Sequence, residues 1–159
     1  MTETVSETRE VEMIRDYKVT VARLWAAVTD PVEIVKWFGP EGVDLVDCSM
    51  DMTRRGPWHC IMRGRESGDI FKNTGVVTHV RPPDGGTEGS VGFTWGWHDA
   101  ETDKRGPESH VIFEVSAHDD GARLRLVHRD LADDEAAQGH TRGWLSTLRK
   151  LDAFVAALD

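Results

Sequence analysis

The sequence predicts one α+β domain in which a strongly curved antiparallel sheet, apolar on one face, is covered by a long C-terminal helix. Three observations predict it. Strand-like segments separated by turn clusters run from Val43 to Arg129, and those segments alternate so that their apolar side chains share a face. The last stretch then sets Trp144, Leu148, Leu151, Val155 and Leu158 along one side of a helix. With 159 residues, 39% of them hydrophobic, the chain is long enough for one ordinary core and too short for two independent enzyme domains. Residues 1–9 are expected as a flexible polar tail and residues 10–159 as the domain.

The elements follow in order. Val11 to Val19 has strand composition, with imperfect alternation because Met13 and Ile14 are adjacent. Val21, Leu24, Trp25 and Val28 fall on one face of a short helix beginning after Thr20. A second short helix restarts at Asp30 as cap and Pro31 as first helical residue, with Glu33 placed to reach back as in a capping box. It carries Ile34, Val35, Trp37 and Phe38 and is ended by Gly39-Pro40-Glu41-Gly42.

Six strands are expected next, punctuated at Arg55-Gly56-Pro57, Ser67-Gly68-Asp69, residues 82–86, residues 103–107 and Asp119-Asp120-Gly121. Trp58, Cys60 and Met62 oppose His59 and Arg63; Val91, Phe93, Trp95 and Trp97 oppose Ser90, Thr94 and His98. Val111, Phe113 and Val115 share a face, as do Leu124, Leu126 and His128 opposite Arg123, Arg125 and Arg129. Asp133, Asp134 and Glu135 open the covering helix, where negative charge suits the helix N-terminus. Gly139 and Gly143 lie on one side of it, either to admit another backbone or to leave space for a ligand.

Charge and composition exclude several functions. A net charge of -9 argues against a nucleic-acid partner, and no apolar run approaches a membrane span. The polar, acidic start lacks the features of a signal peptide, so a cytoplasmic location is expected. Cys48 and Cys60 form no zinc motif or disulfide framework and are expected as reduced thiols. His98, Asp99, Glu101 and Asp103 fall in a turn without ligand spacing, so no metal and no cofactor is expected.

The element order, strand, two short helices, six strands and a long helix, is that of a helix-grip fold. VTVARLWAAVTDPVEIVKWFGPEG (residues 19–42) resembles the opening of START-like (SRPBCC) proteins of the AHSA-type family, homologues of the activator of the heat-shock chaperone ATPase. DMTRRGPWHCIM (residues 51–62), residues 121–128 with their final histidine, and GWLSTLRKLDAF (residues 143–154) resemble later parts of the same pattern. The likeness covers the chain after about residue 10, and Pro57 departs from it by standing where the family pattern has its second glycine. The resemblance implies a deep cavity between the long helix and the concave sheet, used in the wider superfamily for hydrophobic small molecules. It implies no single activity.

The residues assigned to such a cavity are Trp37 and Phe38 near its mouth, and Trp58, Cys60, Met62, Phe93, Trp95, Trp97, His128, Gly143, Trp144 and Leu148 on its walls. Each aromatic residue is individually explained by core packing; together they describe a wide apolar wall suited to a flat ligand. His128 is read inward by parity, as a ligand partner or general base, or as a structural histidine bonded to a neighbouring strand. His110 and Glu114 are read outward. Cys60 is either a cavity thiol or a small inert hydrophobe.

The function expected first is therefore the binding of a hydrophobic or aromatic small molecule by a monomer or homodimer. The alternative is a cofactor-independent cyclase or hydrolase using His128, against which stands the absence of an evident nucleophile, oxyanion motif or paired carboxylate. A chaperone-binding module is the third reading. It is disfavoured because the extra N-terminal domain that accompanies that activity is not seen beside the single domain.

Overall fold

Hairpin connections join the later strands of the chain, so each pairs antiparallel with its neighbour in sequence. The computed structural model describes residues 9–158. It contains β1 (Arg9–Tyr17), α1 (Val21–Thr29), α2 (Pro31–Ile34), β2 (Val43–Ser49), β3 (Gly56–Gly64), β4 (Ile70–Arg81), β5 (Glu88–Trp97), β6 (Ser109–His118), β7 (Gly121–Leu131) and α3 (Asp134–Ala156). The seven strands form one sheet in the order β1-β7-β6-β5-β4-β3-β2. Register shifts in the β1/β7, β2/β3 and β4/β5 pairings mark the irregularities that bend strands and sharpen sheet curvature.

Arg9, expected in the tail, is the first residue of β1; residues 1–8, where the rest of that tail was expected, lie outside the described residues, as does Asp159. The strand start at Gly56 settles the position of Pro57 as the second residue of β3.

The two short helices begin where their caps dictate. Thr20 accepts from the Arg23 amide at 3.0 Å, and Asp30 accepts from the Val32 amide at 2.8 Å. Glu33 does not complete a capping box: both of its oxygens are taken by Arg23 of α1, at 2.8 and 3.2 Å. This pair locks the two helices together instead. The second helix is shorter than expected, ending at Ile34, with Val35 to Trp37 in a turn. The β-branched Val32, Ile34 and Val35 favour helix weakly, and Gly39-Pro40 bars its extension.

The inward residues of β3 and β5–β7 build the core with Leu24, Val28, Ile34, Trp37 and Phe38 from the short helices and Leu148, Leu151 and Val155 from α3. α3 runs closest to β1 and β7. Tyr17 on β1 donates to Asp152 at 2.7 Å, and its phenol is held well above its ordinary pKa by burial and then by that carboxylate. Leu158, expected in the buried stripe, lies beyond the end of α3 and is only half-buried. Arg123 and Arg125 pair with Asp16, Glu12 and Glu114 on the outer face, and His110 pairs with Asp130 at 2.9 Å. None of the described helices is long and apolar enough to cross a membrane.

The reduced thiols expected at Cys48 and Cys60 are not found. The two residues stand directly opposite each other on β2 and β3, 4.1 Å apart at Cα, and are joined as a disulfide. Counting cysteines could not show this, because only strand register brings positions 12 apart in sequence face to face. Cys60 is thus neither a free cavity thiol nor a bare hydrophobe. Alkylation of the native, unreduced protein under denaturing conditions should leave its intact mass unchanged, and alkylation after reduction should add two adducts; adducts without reduction would contradict the pairing.

Candidate functional site

A cavity of about 450 Å³ lies between the N-terminal half of α3 and the sheet, within the size range of small-molecule sites. The stripe that builds its roof is helical: Ala136, Gly139, His140, Gly143, Trp144 and Thr147 recur at the spacing of a single helix face. Phe38, Gly39 and Pro40 form one side, and Val43, Met62, Phe71, Trp95 and Trp97 form the sheet side. Phe71 and Trp97 are 41% and 37% exposed and, with exposed Gly139, place the opening at the outer end of β4 and β5. Among the described residues no charged side chain lines the cavity.

The glycines on α3 explain the space. A Cβ built on Gly139 or Gly143 would meet no atom within 4 Å, so these residues do not admit another backbone; they leave room. One helix turn later the same face carries Leu148, Leu151 and Val155, all buried against the sheet. Gly39, at φ +87, is a different case: its backbone conformation and Met62 Sδ, 3.0 Å from where a Cβ would stand, both exclude a side chain. Lys150 of α3 donates to the carbonyls of Phe38 and Gly39 at 3.3 and 3.1 Å, and Arg149 pairs with Glu41 at 2.8 Å. These bonds hold the loop that forms the cavity's side wall.

His128 points inward, as its parity requires, and is fully buried. It does not line the cavity itself, but bonds to Trp144, which does. The indole Nε1–H of Trp144 donates to His128 Nδ1 at 3.0 Å. An indole nitrogen is only a donor, so Nδ1 carries the lone pair and the ring proton sits on Nε2. That proton reaches Ser109 Oγ at 2.7 Å, and the Ser109 hydroxyl is then directed to the Trp95 carbonyl at 3.4 Å. Burial, followed by His140 and His110, drives the His128 pKa down to about 2. A base needs a free lone pair in reach of substrate, and here the lone pair is occupied.

His140 lies next to it, with ring centroids 4.2 Å apart, and does line the cavity. Trp97 Nε1–H donates to its Nε2 at 3.4 Å, while the two rings stack at 28°. The same donor argument puts the His140 proton on Nδ1. Burial lowers its pKa to about 4, so the ring is neutral at pH 7. On the sheet side, the buried Trp95 Nε1 and both amide atoms of buried Asn73 have no hydrogen-bond partner among the described residues. Asn73 is paired with Trp97 across β4 and β5.

Of the residues assigned from sequence, Phe38, Met62, Trp95, Trp97, Gly143 and Trp144 line the cavity. Trp58, Phe93, Cys60 and Leu148 are buried behind or beside it. Trp58 donates to the Thr94 carbonyl at 2.9 Å and meets Trp95 at 5.5 Å between ring centroids, which makes it a support for the wall. Trp37, expected near the mouth, is fully buried: its Nε1 donates to the Ala27 carbonyl at 2.8 Å and its ring meets Phe113. His140, Thr147 and Phe71 were missed. Extending the helical stripe of Trp144 backward by one turn reaches His140, and that was the available signal. Among the described residues no group of His, Cys, Asp and Glu is arranged to hold a metal ion, and His98 and Asp103 join Lys72 in an ion-paired turn.

The two inner histidines set a pH dependence. Unfolded histidine protonates near pH 6.5, while folded His140 and His128 resist protonation down to about 4 and about 2. As pH falls below about 6.5 the unfolded state therefore takes up protons that the native state refuses, and stability declines toward pH 4. Urea unfolding between pH 7.5 and 4.5 should show this fall, reduced in His128→Leu. Nitrogen-15 spectra should report the neutral Nε2–H tautomer of His128 throughout; titration of that ring near pH 6 would contradict its placement.

Comparison with known proteins agrees with this architecture. The family model described as Activator of Hsp90 ATPase homolog 1-like protein matches residues 18–156. The crystal structure of the AHSA1 protein from Silicibacter pomeroyi is 45% identical, with a TM-score of 0.84 over 93% of this chain and 98% of that one. More distant structures share the fold: a Chromobacterium violaceum protein at 21% identity and TM-score 0.77, covering 92% and 96% of the two chains. CalU16 from Micromonospora echinospora, at 23% identity and TM-score 0.62, covers 94% of this chain and 78% of its own. No curated protein matches the chain. With the match spanning the helices, the sheet and the cavity-forming stripe alike, the chain belongs to the Activator of Hsp90 ATPase homolog 1-like (AHSA1) family of the START-like (SRPBCC) superfamily.

Proposed function

We propose that the protein binds a hydrophobic, flat small molecule in the cavity beneath the N-terminal half of α3. One observation carries this reading: the roof helix keeps Gly139 and Gly143 over open space, at two positions where an added Cβ would meet no atom within 4 Å. Glycine in a helix interior costs roughly 1 kcal/mol relative to alanine. A helix selected only to cover the sheet has no use for two such positions over unfilled volume. The lining supports the same reading, since Phe38, Trp95, Trp97 and Trp144 offer broad apolar surfaces and START-like folds commonly hold hydrophobic ligands.

Occupation of the cavity requires no chemistry from the chain. His128 is committed to Trp144 and Ser109, the His140 lone pair is taken by Trp97, and among the described residues the lining contains no carboxylate, amine or thiol to act as acid, base or nucleophile. The disulfide between Cys48 and Cys60 weighs against the reducing cytoplasm expected from the polar, acidic start of the sequence, because structural disulfides persist in oxidising compartments.

Filling the space tests the proposal. Gly143→Leu should lower affinity for the apolar dye Nile red by at least about tenfold, by occupying volume in the site. The thermal midpoint should hold or rise, since the substitution removes a helix-weakening glycine at a position with free space. Undiminished dye binding by a folded Gly143→Leu protein would refute this location.

A further inference from the structure

The lining has no charge, yet it holds polar groups whose capacity the protein leaves unused. His140 is the clearest. Its Nε2 receives the Trp97 indole proton, so Nδ1–H is a fixed donor on a ring held by stacking on Trp97 and by edge contact with His128. No described residue accepts from that Nδ1. Trp95 adds a second donor, Nε1–H, which is buried and unpartnered in a ring only 5.8 Å from His140. The Thr147 hydroxyl, also in the lining, makes no hydrogen bond to any described residue.

These groups constrain the ligand's polarity. Two of the three are donors with no acceptor capacity left: Trp95 Nε1–H is buried without a partner, at a cost in free energy, and His140 Nδ1–H is a donor that no described residue uses. A ligand that contributes an acceptor relieves that cost; one that is wholly hydrocarbon leaves it standing. Charge is disfavoured in turn, because an ionised group would lose its water with no opposite charge among the lining residues to replace it. His140 does not supply that charge, as burial keeps it neutral.

We propose that the ligand is a neutral, flat apolar molecule bearing a carbonyl-type oxygen, and that His140 Nδ1–H is the specificity-determining contact that receives it. This inference rests on the cavity-binding reading above and narrows it from shape to chemistry. It makes His140 a residue that selects among ligands of equal size.

A matched set of tricyclic probes tests it: fluorene, 9-fluorenone and fluorene-9-carboxylate, titrated calorimetrically into the full chain. Burial alone favours fluorene, the most hydrophobic of the three, over the ketone. With the hydrogen bond, 9-fluorenone should instead bind about 3- to 10-fold more tightly than fluorene, and the carboxylate should bind most weakly. In His140→Phe, which keeps an aromatic ring against Trp97 and removes the donor, the ratio of ketone to hydrocarbon affinity should fall to one or below. A second measurement does not depend on that variant folding: in the unaltered protein the His140 Nδ1 proton should move downfield with 9-fluorenone and stay in place with fluorene. Equal or reversed preference in the unaltered protein, an unmoved proton, or tightest binding of the carboxylate would overturn the inference while leaving the cavity reading intact. Failure of all three probes to bind would overturn both.

Discussion

The bond from Trp144 Nε1–H to His128 Nδ1 fixes the inside of this molecule. It joins α3 to β7 at a point where helix and sheet would otherwise meet only through dispersion contacts. Through Ser109 it continues onto β6 and points toward the Trp95 carbonyl on β5, so one polar chain links the helix with three adjacent strands. Because Trp144 is part of the cavity lining, the bond also fixes the orientation of that wall. Its own polarity requires a neutral histidine. Protonated Nδ1 would present a second donor to an indole that can only donate, and burial already opposes the charge.

A helix held at that point serves two purposes along its length. After Trp144, Leu148, Leu151 and Val155 close on the sheet, with Tyr17 and Asp152 bonded at the flank, and this half supplies packing. Before it, the same face carries alanine, glycine and histidine, which are too small or too polar to fill the space. The sheet does not need to change for this to happen. The volume of the roof residues falls from leucine to glycine along the helix, and this difference leaves the cavity. The pins at Lys150 and Arg149 then hold the Phe38 loop against the cavity's side.

Most of the architecture was legible because it rests on period. Strand alternation gave the inward parity of Trp95, Phe113, Leu126 and His128, and helical spacing gave the α3 stripe from Trp144 to Val155. What escaped depends on relations that a single chain does not display. The Cys48–Cys60 bond follows from cross-strand register, and the capping role expected of Glu33 was lost to Arg23, a competitor one helix away. The cavity residues divided for a related reason: parity tells which face a side chain joins but not how deep along it the side chain sits. Trp58 and Trp95 share a face and nearly touch, yet only Trp95 reaches the open volume. His140 was passed over because a histidine near a helix N-terminus, beside glycine and threonine, looks like a solvated face until the stripe of Trp144 is extended back through it.

The placement of charge completes the picture. The chain bears a net charge of -9, and on the outer sheet face arginines and carboxylates pair in ladders across β1, β7 and β6. None of that charge enters the cavity. An anionic molecule therefore meets an unfavourable field on approach and an unfavourable desolvation on entry, while a neutral one meets neither. Apolar burial then supplies affinity that scales with area and is indifferent to which flat molecule is bound. Discrimination has to come from the few fixed donors, and these are fixed by donor-only partners: Trp97 sets the His140 proton just as Trp144 sets that of His128. The tryptophans that first read as an apolar wall are thus also what orients the polar groups behind and within it.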